Sequence, residues 1–231
     1  MEQGNEPVDR VLLDIKMPTP APFRLDPNTT AVVIVDMQKL FLNRERPPFR
    51  RNGCIPGNRR LLDKARKAGA EVIFIQSVRR PDAREFVRFG CPPKLLLGSE
   101  DAEIIDDLAP LPDETVVQKF SHDPFARTEL ENVLTKKGIV NENWTVLVTG
   151  VSAAVCAHAC ALGFSNRDYM TLIPLDCTAA GTVEEEARVY AQYQSHGYAF
   201  NIDFTSSDLV TFETGAPAAE SQRPPRPPTS R

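Results

Sequence analysis

Three residues follow buried-looking apolar runs and are of types that do chemistry together. Asp36 comes directly after AVVIV, Lys119 directly after TVVQ, and Cys156 seven residues after TVLVT. A thiol in the first turns of a helix meets free backbone N–H groups, which favour the thiolate and can hold an oxyanion. A carboxylate beside it can take its proton, and an adjacent ammonium group can hold charge and orient the pair. Each residue also has an ordinary reading. Asp36 could cap a helix or tie a loop, Lys119 could be a solvated lysine, and Cys156 could be a small buried hydrophobe. Cys160, Cys177, Cys54 and Cys91 take that last reading. Candidate pocket residues are Phe41, Ser77, Arg79, His122, Phe125 and Ser152. Arg79 could grip a substrate carboxylate through two parallel hydrogen bonds, or be a solvated arginine beside Arg80. Phe125 reads as a pocket wall, and Phe41 as a wall or as core.

The elements that would position these groups alternate along the chain. Residues 31–35 (AVVIV), 71–76 (EVIFIQ), 115–118 (TVVQ), 145–149 (TVLVT), 170–175 (MTLIPL) and 199–204 read as strands, most of them apolar enough to be buried on both faces. Residues 58–68, 101–108, 128–137, 153–164 and 182–196 read as helices, several closed by a glycine or followed by prolines. This alternation predicts an α/β fold: a three-layer αβα sandwich around a mainly parallel sheet, with Rossmann-like topology. Ligands in such sheets bind beyond the carboxyl ends of the strands, which is where Asp36, Lys119 and Cys156 fall. Neither GxGxxG nor GxxxxGK[ST] occurs, so dinucleotide and P-loop readings fail.

At 231 residues and 42% hydrophobic, the chain suits one domain with a substantial core. The expected division is an N-terminal arm over 1–27, a catalytic domain over 28–214 and a disordered Pro-rich tail over 215–231, whose PPRPP could bind a partner. A net charge of −4 argues against nucleic acid as partner. No apolar run is long enough to span a membrane, and residues 1–10 lack the apolar segment of a signal peptide. Five cysteines without a CxxC pair fit free thiols in a reducing, cytoplasmic setting. The three histidines, His122, His158 and His196, lack ligand-like spacing, so no metal site is expected.

Together, DMQKLF, KFSHDPFARTELENVLTKKGI and VTGVSAAVCAHACALGFSNRDYMTLIPLDCTAA resemble the three signatures of the isochorismatase-like cysteine hydrolases. That family includes nicotinamidases, N-carbamoylsarcosine amidohydrolase, and biuret and ureidoacrylate amidases. The resemblance runs from about Thr30 to about Thr205. It implies a catalytic set of Asp36, Lys119 and Cys156, with a non-proline cis peptide at Val151–Ser152. Backbone N–H groups of that turn, with that of Cys156, would face the oxyanion. The implied reaction uses Asp36 as base and then acid, Lys119 as the orienting cation and a thioester on Cys156 that water hydrolyses, again with Asp36 as base. No cofactor is implied. A homo-oligomer, dimer or tetramer, is. The sequence departs from nicotinamidases, which carry metal-binding histidines where this chain has SVRRPD. It departs from ether-cleaving isochorismatases, which lack the nucleophilic cysteine. The expected substrate is therefore a small amide, carbamoyl or ureido compound. Ether hydrolysis and a non-catalytic binding role on the same scaffold remain as alternatives.

Overall fold

A computed structural model describes residues 15–42, 51–140, 143–195 and 201–223. Its centre is a parallel sheet built from β2 (Thr30–Val35), β3 (Glu71–Ser77), β4 (Thr115–Lys119), β5 (Thr145–Val151), β6 (Met170–Pro174) and β8 (Ile202–Thr205). The order is β4-β3-β2-β5-β6-β8, with the short β7 (Thr178–Ala179) pairing the end of β5. The helices are α1 (Arg51–Ala68), α2 (Arg84–Phe89), α3 (Leu130–Lys136), α4 (Cys156–Ser165) and α5 (Val183–Ser195).

Side-chain alternation along β2 shows why the strand is apolar throughout. Ala31, Val33 and Val35 point into a core shared with Leu130 and Leu134 of α3, Ala157 and Cys160 of α4, and Tyr190 and Tyr193 of α5. Val32 and Ile34 point into a second core with Leu61, Leu62 and Ala65 of α1. Both faces are thus covered, and a strand with successive side chains on opposite faces must be apolar at every position. The expected three-layer αβα sheet is what forms.

Several elements differ from expectation. Helix α1 starts at Arg51 rather than at residue 58, running through Gly53, Pro56 and Gly57. Gly57 is there for closeness: a Cβ on it would lie 2.3 Å from the Asp176 carbonyl oxygen. Residues 101–108 are not an α-helix. Two 3-10 turns, Glu100–Ala102 and Asp106–Leu108, flank an extended stretch. Its backbone is taken by the segment after β2, because Lys39 N donates to Glu103 O and Ile105 N donates to Met37 O. A backbone so engaged cannot also make the i to i−4 ladder. A two-strand ribbon, β1 (Phe23–Leu25) with β9 (Val210–Phe212), was not legible in the sequence, and it buries Phe23 and Leu25 against α1's side of the sheet.

The tail expected to be disordered from Gly215 is folded over its described part, 215–223. Gln222 bonds Arg24 in both directions, Ala219 is buried, and Arg223 pairs with Asp203. These contacts supply the ordering energy that composition alone did not promise. The PPRPP motif, His196, and residues 1–14 of the arm lie outside the described residues. Among the described residues no helix is long and apolar enough to cross a membrane.

Candidate active site

The register of the sheet sets the geometry. Val35 of β2 pairs with Ile75 of β3 on one side and Gly150 of β5 on the other, and Ser77 of β3 pairs with Lys119 of β4. Asp36, Ser77, Lys119 and the turn after β5 therefore emerge at one sheet edge. Asp36 turns there with φ 52°, in the left-handed region that a short polar side chain tolerates at about 1–2 kcal/mol. Its N–H is held by the Ile75 carbonyl at 2.9 Å. Gly150, at φ 100°, lets β5 approach: a Cβ there would sit 2.0 Å from the Val35 carbonyl oxygen. The next peptide, Val151–Ser152, is cis.

The side chains meet below the surface. Lys119 Nζ lies 2.8 Å from Asp36 Oδ2, and the two side chains are 0% and 1% exposed. Ser77 bridges them, donating to Asp36 Oδ2 at 3.0 Å and accepting from Lys119 Nζ at 2.7 Å. Lys119 Nζ also donates to the Ser121 carbonyl at 3.1 Å and lies 3.4 Å from Cys156 Sγ. A buried ion pair is tolerable only with its remaining hydrogen bonds filled, and here the ammonium has a full set. Asp36 Oδ1 is buried without an acceptor's usual partner. Gln38 fixes the neighbourhood: its amide donates to the Ser77 and Ala102 carbonyls, each at 2.8 Å, and its carbonyl accepts from Ser77 N at 2.9 Å.

Cys156 opens α4, so its N–H has no intrahelical acceptor and is free to bind an oxyanion. Its thiol, however, is not the depressed one expected at a helix N-terminus. Burial pushes it up to about 12, the Asp36 charge adds to this, and Lys119 pulls the other way. The resting group is thus a thiol. Burial also raises Cys160 and Cys177.

A cavity of about 340 Å³ opens over the sulfur. Its walls include Asp36, Phe41, Ser77, Arg79, His122, Val151, Ser152 and Cys156, together with Leu95, Val155 and residues 179–181 that the sequence reading missed. His122 Nδ1 lies 3.4 Å from Sγ. Phe125 is not a wall. It sits behind α4, edge-on to Phe164 at 4.9 Å, with the Arg167 guanidinium 3.9 Å over its ring. A loop sequence does not say which side of a helix its phenylalanine will reach. Arg79 faces the cavity with its Nε on Glu85 at 2.8 Å and Nη1 on the Val78 carbonyl at 3.0 Å, so it is anchored rather than solvated. Gln38 was detectable in principle, since it stands in the quoted DMQ three residues past the strand. No group of three His, Cys, Asp or Glu side chains suited to a metal occurs among the described residues.

Fold and site define an α/β protein of the thiol-nucleophile class, with an acid and an ammonium group beside the sulfur at the carboxyl edge of a doubly covered parallel sheet. The chain belongs to the isochorismatase family: the pattern of the Isochorismatase domain matches residues 30–202. Ureidoacrylate amidohydrolase RutB of Agrobacterium fabrum is 29% identical over 185 residues, covering 69% of this chain and 79% of the relative. RutB of Pseudomonas syringae pv. syringae is 26% identical over 212 residues, covering 80% and 85%. Among solved structures, a cysteine hydrolase from Pseudomonas syringae pv. phaseolicola superposes with TM-score 0.69 at 24% identity, covering 83% of this chain and 95% of that one. N-carbamoylsarcosine amidase from Thermoplasma acidophilum gives 0.64 at 23%, covering 78% and 97%, a likeness of fold.

Proposed function

We propose that this protein is a cysteine amidohydrolase that cleaves a C–N bond of a small amide, carbamoyl or ureido compound through a thioester on Cys156. The observation that carries the reading is the position of Lys119 Nζ, 2.8 Å from Asp36 Oδ2 and 3.4 Å from Cys156 Sγ. The ammonium group touches both the carboxylate and the thiol. As the Sγ–C bond forms, the thiol proton passes to Asp36, whose Oδ1 has no other hydrogen-bond partner. The carbonyl oxygen, now negative, takes the N–H of Cys156 and those of the turn at Val151 and Ser152. Collapse breaks the C–N bond, and Asp36 gives the proton to the leaving nitrogen. Water then hydrolyses the thioester and restores the thiol. Ser77 belongs to the charge network, while Phe41, Arg79 and His122 face the substrate, Arg79 toward a carboxylate.

The chemistry needs no cofactor. The five free cysteines support a cytoplasmic setting. A homo-oligomer is part of the reading, supported by exposed Val87, Phe89 and Leu97. The test is release of ammonia or amine from a panel of small amides, carbamoyl and ureido compounds. Ureidoacrylate and N-carbamoylsarcosine head the panel, because similar proteins are named for acting on them. Wild type should turn over at least one, and Cys156→Ala should lose that turnover by a factor of at least about a thousand. Turnover that survives Cys156→Ala, or a panel with no release at all, rejects the reading.

A further inference from the structure

Positive charge is unevenly matched around the active site. A second cavity, of about 660 Å³, adjoins the one over Cys156. Arg79 lines both, and the chain neighbours Ser121 and His122 line one each, so the two hollows share a wall. The guanidinium groups of Arg79, Arg80, Arg84 and Arg127 line the second cavity, against the carboxylates of Asp82 and Glu85. Both carboxylates are already engaged. Asp82 takes Arg80 through two hydrogen bonds, at 2.9 and 2.6 Å, and Glu85 takes Arg79 Nε at 2.8 Å. Arg84 and Arg127 have no ion pair among the described residues, and Arg79 Nη2 has no hydrogen bond among them. A cavity of about 630 Å³ against α1 shows the ordinary arrangement: its cations Lys39, Arg59 and Arg60 hold Glu103, Asp107 and Asp176. Arg127 is unusual in its backbone as well. It is left-handed at φ 57°, which long side chains rarely adopt and which tends to persist at binding sites.

We infer that the arginine-lined cavity is a subsite for the anionic far end of the substrate, which is an extended acid with a ureido or amide group at its other end. The inference rests on the hydrolase reading above and names its substrate class. The scissile carbonyl lies over Cys156, the spacer passes Arg79, and the carboxylate is held by Arg79 Nη2, Arg84 and Arg127. A concave site with unmatched positive charge gathers anions, and a planar guanidinium gives a carboxylate two parallel N–H bonds. Asp82 and Glu85 are neutralised by their own arginines, which leaves the field of the cavity positive. The Arg79 side chain is only 15% exposed and tied at Nε and Nη1, so it is fixed in place before the substrate arrives. Arg84 and Arg127 are solvent-exposed, so salt weakens their hold.

The experiment compares N-carbamoylglycine, N-carbamoyl-β-alanine, 4-ureidobutanoate and 6-ureidohexanoate with alkylureas of matching length, which lack the charge. Affinity is read by calorimetry in Cys156→Ala protein, where no turnover intervenes, and ammonia release is read with the cysteine intact. The acids should bind more tightly than the alkylureas, and the advantage should grow from the glycine compound to the longer acids, reaching about tenfold. Arg84→Gln and Arg127→Gln should each cut that advantage about threefold or more, and with Cys156 present the loss should fall on KM rather than kcat. Arg59→Gln, which removes a paired cation from the other cavity, should leave the advantage as it is. Raising salt from about 0.05 to about 0.5 M should shrink it. An advantage greatest for N-carbamoylglycine, or indifferent to Arg84→Gln and Arg127→Gln, confines the anion to the catalytic cavity and overturns the inference. Equal binding of acids and alkylureas, no binding of any acid, or an equal loss in Arg59→Gln overturns it too. An arginine-dependent advantage with no ammonia released by wild type upholds the subsite and rejects the hydrolase reading instead. Arg84 and Arg127 are exposed, so their variants should fold, and thermal midpoints within a few degrees of wild type check this.

Discussion

Replacing Lys119 by methionine should be among the costliest single changes to this fold. The ammonium group is fully buried, 2.8 Å from an equally buried carboxylate. At that separation, with an effective dielectric constant of about 20, the attraction is worth about 6 kcal/mol. Desolvating two ions offsets much of that gain, so the intact pair adds little net stability. Removing only the cation is another matter. It strands Asp36 without its counter-charge and takes a donor from Ser77 Oγ and the Ser121 carbonyl. The expected loss is about 3–5 kcal/mol, about a fifth or more of a typical domain's stability. Urea unfolding followed by circular dichroism measures it as a lower midpoint at unchanged slope. The double variant Asp36→Asn with Lys119→Met should regain at least half the loss, because the stranded charge is then gone. A Lys119→Met protein within about 1 kcal/mol of wild type, or a double variant no better than the single one, would refute the reasoning.

Alkylation of Cys156 by iodoacetamide should climb about tenfold per pH unit through pH 10, because only the thiolate reacts and the thiol is held up to about 12. A plateau below about pH 9, read by peptide mass, contradicts burial as the dominant influence. Asp176 offers a stability test with a definite sign. Burial alone would raise its pKa, but the Ser207 hydroxyl and amide outweigh burial and hold it below the usual carboxylate range. A depressed folded value adds stability above the unfolded value of about 3.9, and that stability disappears as pH falls through the folded one. Asp176→Asn should therefore cost about 1–3 kcal/mol at neutral pH, and the deficit should close in urea titrations as pH drops below about 4. A deficit independent of pH would show that shape, not charge, holds Asp176 in place.

What the sequence disclosed follows from the length scale of each signal. Strands β2 and β5 are continuous β-branched runs buried on both faces, and the residue after such a run must lie at the sheet edge. That is enough to nominate Asp36 after β2 and the turn after β5 that leads to Cys156. The β1–β9 ribbon gives no such signal: each strand has three residues, and Phe23 finds Val210 across most of the chain. Helix α1 exceeds the expected 58–68 because it runs on through Gly53, Pro56 and Gly57, residue types of low helix propensity, and Gly57 is fitted there by the nearness of Asp176. The state of the Cys156 thiol was misjudged for a related reason. A helix terminus is local and visible in sequence, but depth of burial and the Asp36 charge belong to the assembled molecule, and both push the thiol up. Phe41 and Phe125 both sit in loops beside the site, and only the finished chain path separates the one that faces the cavity from the one behind α4.

Strand β4 is one of the two edge strands of the described sheet, bonded on one side alone, and it delivers Lys119. Outer strands open more readily than central ones, so the cation rides on the part of the lattice most prone to fraying. Heat or denaturant should then silence the enzyme before the molecule as a whole gives way, with the loss of chemistry reporting the parting of a single seam.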